Sequence, residues 1–217
     1  MKCNTMRILL HSRQVARVAW SFDRSFAGTC EPNLENMATA DLADVLITGK
    51  GKSPLRVEAM RPRPQFIDYG GKPSLDGVVS TIKSSVASSA VIALLRQRLS
   101  EPGAGRVLVV DVAGSEEGAV LGDRLVGLAI RNNWEGLVVH GYLRDVKELK
   151  DMPICIKALG VDPVRGVDQG VEAESDVPVT FSGVTFAPGN HIVGDEDGVL
   201  VGDTVSLYEL ARKLSSE

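Results

Sequence analysis

Aromatic residues make up only 5% of the 217-residue chain: five Phe, three Tyr and two Trp. So sparse a set argues against the stacking platforms on which RNA-binding surfaces hold bases, and it leaves the core to Val, Leu, Ile and Ala in sheet and helix layers. Cysteine is scarcer. Cys3, Cys30 and Cys155 are too few and too irregularly spaced for a disulfide framework or a zinc site, which makes a reducing compartment the default. Long apolar runs are missing as well: the richest stretches, Val107 to Val112 and Ala90 to Leu95, are strand-sized or helix-sized, well short of the 18 or more residues of a membrane span. With 22 Gly and 10 Pro the chain is no low-complexity sequence either.

What remains is a globular composition, and its length suits one well-cored domain at roughly 150 residues per domain. The net charge of −4 conceals an asymmetry. Residues 1 to 30 carry Lys2, Arg7, Arg13, Arg17 and Arg24 against Asp23 alone, so the rest of the chain has a net charge of −8. That acidic body offers nucleic-acid phosphates little attraction. Neither a nucleic acid nor a membrane is an expected partner. The Arg-rich, Ser-containing first thirty residues read as an N-terminal extension with the composition of an organelle transit peptide, beside an irregular arm that packs on the body. The expected location is cytoplasmic, with a mitochondrial one as the alternative; residues 31–217 form the expected domain.

Thr39 is placed to cap a short helix running through Leu46. An irregular basic loop, Gly49 to Pro64, follows, with one strand around Leu55 to Met60. Val78 to Ile82 reads as a strand, Ser89 to Leu99 as a helix with Val91, Leu94, Leu95 and Leu99 on one face, and Arg106 to Val112 as a buried parallel strand. A glycine-containing loop, Gly114 to Gly122, leads to a helix from Asp123 to Asn132. Gly136 to Val139, a short helix Asp145 to Lys150 and a strand Ile154 to Ala158 complete a β-α-β-α-β stretch. The pattern then changes. Val177 to Phe181, Val184 to Phe186, His191 to Val193 and Val199 to Val201 are short segments split by turn pairs such as Ser182-Gly183 and Asp197-Gly198, as in antiparallel hairpins. A helix from Thr204 to Leu214 closes a layered mixed α/β fold.

Two segments sit where ligands bind in α/β sheets, outside the carboxyl ends of strands: Gly114 to Asp123, and His140-Gly141-Tyr142-Leu143-Arg144-Asp145. Backbone N–H groups of Gly122, Asp123, Arg124 and Leu125, at a helix start, suit a carboxylate or a developing oxyanion. Arg144 offers a two-pronged fork for a carboxylate. Asp145 offers a hard oxygen suited to Mg²⁺, which takes one or two protein carboxylates and fills its shell with water and substrate oxygens. An anion clamp beside a hard metal points to a keto-acid substrate. Singly, each residue has a plainer explanation: Asp123 as a helix cap, Arg144-Asp145 as a surface ion pair, His140 and His191 as structural histidines, Cys155 as core.

Arg106-Val-Leu-Val-Val-Asp111, Gly122-Asp123-Arg124-Leu125, Gly136 through Asp145 and Gly194-Asp-Glu-Asp-Gly-Val-Leu-Val201 together resemble the RraA-like family. That family holds divalent-metal-dependent 4-hydroxy-4-methyl-2-oxoglutarate aldolases and regulators of ribonuclease activity. The sharpest element is Asp123, twenty residues, then Arg144-Asp145, which looks like the pattern of the aldolase members. The resemblance implies a swivelling β/β/α layered domain with mixed parallel and antiparallel sheets, assembled as a homotrimer or hexamer. It implies that Gly122 to Leu125 cradle a pyruvoyl group, that Arg144 binds the substrate carboxylate, that Asp145 ligates Mg²⁺ or Mn²⁺, and that Asp123 holds or activates a metal-bound water. Glu196, on the acidic turn Gly194 to Gly198, is the expected acid supplied by a neighbouring subunit. The implied activity is cleavage of the six-carbon keto acid to two pyruvates, with oxaloacetate decarboxylation through the same enolate. The alternative from another class is a non-catalytic inhibitor of a ribonuclease or RNA helicase. A methyltransferase is disfavoured because the sequence has no G-x-G-x-x-G nucleotide loop.

Overall fold

A computed structural model of the protein describes residues 37–48, 55–60, 62–63, 65–166, 170–204 and 206–215. The Arg-rich first thirty residues, and much of the basic loop from Gly49 to Pro64, lie outside the described residues. In chain order the helices are α1 (Thr39–Ala43), continued by a π-helical turn (Asp44–Thr48), α2 (Ser89–Leu99), α3 (Asp123–Arg131), α4 (Val146–Leu149) and α5 (Leu207–Ser215). The strands are β1 (Val57–Ala59), β2 (Ile67–Asp68), β3 (Leu75–Lys83), β4 (Arg106–Asp111), β5 (Ala119–Leu121), β6 (Gly136–Leu143), β7 (Cys155–Val161), β8 (Glu174–Ser175), β9 (Val179–Phe181), β10 (Val184–Phe186), β11 (His191–Asp195) and β12 (Gly198–Gly202).

The main sheet runs β1-β12-β11-β3-β4-β6-β7-β2. Its centre, β3-β4-β6-β7, is parallel, and the flanks β12-β11 and β2 are antiparallel. Because side chains alternate between faces, a continuously apolar strand feeds two cores. Leu108 and Val110 of β4 join Val91, Leu95 and Leu99 of α2 and Val126 and Ala129 of α3 on one side. Val107 and Val109 face the other way, onto Phe181, Val184 and Phe186 of the separate β9-β10 hairpin. A third cluster packs Leu42, Leu46, Leu207 and Ala211 on Val193 and Leu200. The mixed α/β layering expected from the sequence is observed.

Several boundaries differ. Ala38, not Thr39, occupies the cap of α1; the Thr39 N–H donates instead to Asp195 Oδ2 at 2.7 Å, and the helix widens to a π turn before Thr48. The expected loop Gly114 to Gly122 contains β5. β6 does not stop at Val139 but runs to Leu143, because Tyr142 and Leu143 still pair with β5 and β7. Gly194 and Asp195 belong to β11, so the acidic turn shrinks to Glu196-Asp197. The last helix begins at Leu207, three residues after Thr204.

Candidate active site

β5 lies parallel beside the end of β6, with Ala119 opposite Tyr142 and Leu121 opposite Leu143, and the Arg144 N–H donates to the Leu121 carbonyl at 3.0 Å. Gly122-Asp123 and Arg144-Asp145 are thus the first two residues beyond two paired strand ends. This is why motifs twenty residues apart meet in space.

Asp145 adopts a left-handed backbone (φ 61°, ψ 35°), a conformation that Asp tolerates better than most residues. The bend sends its carboxylate over the start of α3, where Oδ2 lies 3.3 Å from the Asp123 N–H and 3.3 Å from Arg144 Nε. Gly122 is required by space: a Cβ there would collide with the Asp145 carboxylate and press on the Arg144 side chain. Asp123 is the first helical residue and Gly122 the capping position, so Asp123 does not cap the helix; its Oδ1 accepts from the Arg124 N–H at 2.6 Å. Three of the four amides expected to hold a substrate oxygen are thus engaged inside the chain, the Leu125 N–H with the Gly122 carbonyl at 3.1 Å.

These residues line a cavity of about 90 Å³, together with Arg96, Val120 and Arg165. A wider basin of about 610 Å³ shares Arg96, Asp123, Arg124 and Leu125 with it. Glu196 is elsewhere. Its charge acts on the thiol of Cys155, a residue of β7 that stands opposite Gly136 at the start of β6, whereas Arg144 follows the other end of β6, on the order of 20 Å away at strand rise. Within one chain Glu196 does not join this cavity.

Asp145 brings one carboxylate whose Oδ1 accepts no hydrogen bond among the described residues, an oxygen that could serve a cation such as Mg²⁺, which needs only one or two protein carboxylates; among the described residues no group of three or more His, Cys, Asp or Glu is placed to hold a metal ion.

The two described histidines each face a carboxylate away from this cavity. His140 Nδ1 lies 2.7 Å from Asp111 Oδ1, which also accepts from the Ala113 N–H, and the imidazole stacks on Phe181 at 4.6 Å. His191 Nε2 lies 3.0 Å from Asp76 Oδ1. The sequence reading missed the first pair, although its signal was present: Asp111 and His140 are the first polar residues after two apolar runs, and parallel pairing puts them opposite each other. Cys155 is core, fully buried, and burial pushes its thiol up to about 11. Partial burial, then the charge and hydrogen bond of Glu116, also raises Tyr142 at the site's edge.

A layered α/β domain that gathers two carboxylates and an arginine beyond two paired parallel strand ends defines a class, and sequence comparison narrows it. Residues 39–201 match the Aldolase/RraA family described as RraA-like, and the chain belongs to this family. A relative from Alkalilimnicola ehrlichii named "Putative 4-hydroxy-4-methyl-2-oxoglutarate aldolase" is 46% identical over 138 residues, which is 64% of this chain and 83% of that protein. Among solved structures, one described as a Geobacillus kaustophilus S-adenosylmethionine:2-dimethylmenaquinone methyltransferase superposes with a TM-score of 0.67 at 34% identity, covering 77% of this chain and 96% of that one. Another, described as the RNA-processing inhibitor RraA from Thermus thermophilus, gives 0.64 at 35% identity, covering 76% and 92%. No helix among the described residues is long and apolar enough to cross a membrane.

Proposed function

We propose that the protein is a divalent-metal-dependent lyase that cleaves 4-hydroxy-4-methyl-2-oxoglutarate to two pyruvates and decarboxylates oxaloacetate as a side activity. The observation that carries this reading is the Arg144-Asp145 pair held over the Gly122 to Leu125 helix start, with Asp123 alongside. When bound at Asp145, Mg²⁺ or Mn²⁺ would supply a Lewis acid for the keto oxygen. Arg144 would fork onto the C1 carboxylate. Turning Asp145 toward the metal would release the Asp123 N–H, adding a donor for the negative charge that moves onto the keto oxygen as the C3–C4 bond breaks. Asp123 would take the C4 hydroxyl proton through water, and Glu196 from a second copy of the chain would assist as the trans acid. That role requires a homotrimer or hexamer, with a 2-keto acid as the small-molecule partner and neither nucleic acid nor membrane bound. A cytoplasmic location, or a mitochondrial one directed by residues 1–30, belongs to the same proposal, as does a single catalytic domain over residues 31–217.

The test is pyruvate release from both keto acids with Mg²⁺ or Mn²⁺, with and without EDTA, followed by mixing inactive Arg144→Ala and Glu196→Ala subunits. Metal-dependent release, partly restored in the mixture, is expected. Full turnover in EDTA, or a borohydride-trapped lysine adduct, would overturn it. The likeness to the Thermus inhibitor favours a second reading, inhibition of an RNA-processing enzyme; no pyruvate release combined with inhibition of a ribonuclease would select it. The methyltransferase named for the Geobacillus structure gains no support, since no glycine-rich nucleotide loop exists in the sequence.

A further inference from the structure

Arg96, Arg124, Arg131 and Arg165 stand exposed around the mouth of the two adjoining cavities, and none of their guanidinium groups has an ion-pair partner among the described residues. Elsewhere the described arginines include Arg56 paired with Glu58, and Arg98 paired with Glu101 and Asp176. In a chain of net charge −4, four uncompensated guanidinium groups gathered at one opening form a local positive field that folding does not use. The inner cavity, about 90 Å³, is much smaller than the adjoining basin of about 610 Å³ and suits the small keto-acid head. Anything longer must extend into the wider basin. Arg96 of α2 lines both spaces, so it stands where the far end of such a ligand leaves the inner cavity, and Arg165 lines the inner cavity after β7.

We propose that Arg96, supported by Arg165, forms a subsite for the second carboxylate of the substrate, and that this subsite selects dicarboxylic keto acids over pyruvate-sized monocarboxylates. The inference rests on the keto-acid reading of the inner cavity and adds a specificity determinant to it. A carboxylate on a guanidinium is recognised through parallel N–H···O bonds, so geometry as well as charge sets the preference.

Binding of two non-cleavable ligands, pyruvate and 2-oxoglutarate, to the full-length protein with Mg²⁺ present tests it by calorimetry without any turnover. In the wild type 2-oxoglutarate should bind about tenfold tighter or more. In Arg96→Gln, and further in Arg96→Gln/Arg165→Gln, that ratio should fall toward one because 2-oxoglutarate loses more affinity than pyruvate does; Arg96→Lys should restore only part of it. A wild-type ratio near one, or an unchanged ratio in the variants with pyruvate still bound, overturns the subsite alone. Failure of the wild type to bind either ligand overturns the keto-acid reading, and the subsite with it.

Discussion

A cavity of about 740 Å³ lies between α1, β11 and the start of β3, yet its chemistry is closed, whereas the 90 Å³ cavity beyond β5 and β6 is chemically open. In the large cavity the charged groups answer one another: His191 faces Asp76 at 3.0 Å, Asp195 accepts from the Thr39 and Asp197 amides, and Lys72 sits 3.5 Å from Glu135. Around the small one, four arginines lack partners and Asp145 holds its place by an unusual backbone angle and two long contacts. Volume and open chemistry therefore point to different places. What distinguishes the candidate site is a set of guanidinium groups without ion-pair partners around a residue with a left-handed backbone.

The contrast is broken most forcefully at Asp145 and Arg144. Asp145→Ala removes the metal oxygen and should abolish metal-dependent pyruvate release. Arg144→Lys, which keeps charge but loses the fork, should lower kcat/KM by about a hundredfold, or about 3 kcal/mol. Near-native turnover by both variants, with unchanged circular dichroism, would put the site elsewhere.

A second prediction probes the closed end. Burial, the dominant cause, lifts the Cys155 thiol from 9.0 to about 11, with Asp68 and Glu196 adding to the rise and Lys157 and Lys72 opposing it. Between pH 9 and 11 the unfolded chain loses this proton while the folded protein keeps it, so stability is intact below pH 9 and declines as pH rises through that window, by about 2 to 3 kcal/mol in all. Urea denaturation of Cys155→Ser beside the wild type across the window isolates the contribution. A difference between them that does not change with pH would contradict it.

How much of this was legible in the sequence depends on whether the signal was local. α2 was readable to the residue, since its apolar period is uninterrupted and Ser88 caps it, accepting from the Val91 N–H at 3.4 Å. The β9-β10 hairpin announced itself through Ser182-Gly183 between two alternating triplets. β5 was hidden because three apolar residues between glycines also describe a loop, and the end of β6 because His140, Gly141 and Tyr142 interrupt the apolar run although the strand is held by neighbours on both sides. At the site, residue types and spacing pointed to Asp123, Arg144 and Asp145. The left-handed turn at Asp145, the internal use of the cradle's amides and the arginines contributed by α2 and the segment after β7 are products of tertiary placement, which no local pattern encodes.

A smaller effect is expected at Gly122. Its φ of −148° suits any residue, so Gly122→Ala should leave thermal stability nearly unchanged, but the new methyl must displace the Asp145 carboxylate. We expect about a tenfold fall in kcat/KM, near 1.4 kcal/mol, with a weaker apparent affinity for Mg²⁺. Metal titration of activity checks both, and an unaltered metal requirement would show that the carboxylate is not placed by this contact.

The smallest effect belongs to the large cavity. Asp76 is more than half exposed and its Oδ1 lies 3.0 Å from His191 Nε2, while the Nδ1 of the same ring accepts from the Leu207 N–H at 3.4 Å. Asp76→Asn keeps the side chain's size and removes only a charge in contact with solvent, where ion pairs contribute little. The variant should stay within about 0.5 kcal/mol of wild-type stability in urea, with pyruvate release unaltered. The same change at Asp145 should remove the charge of the proposed metal ligand and with it most of the activity, so Asp76→Asn and Asp145→Asn form a matched pair across the two cavities. Equal losses in both would mean that the paired charges of the large cavity serve the reaction, and the distinction between a closed and an open end would fall.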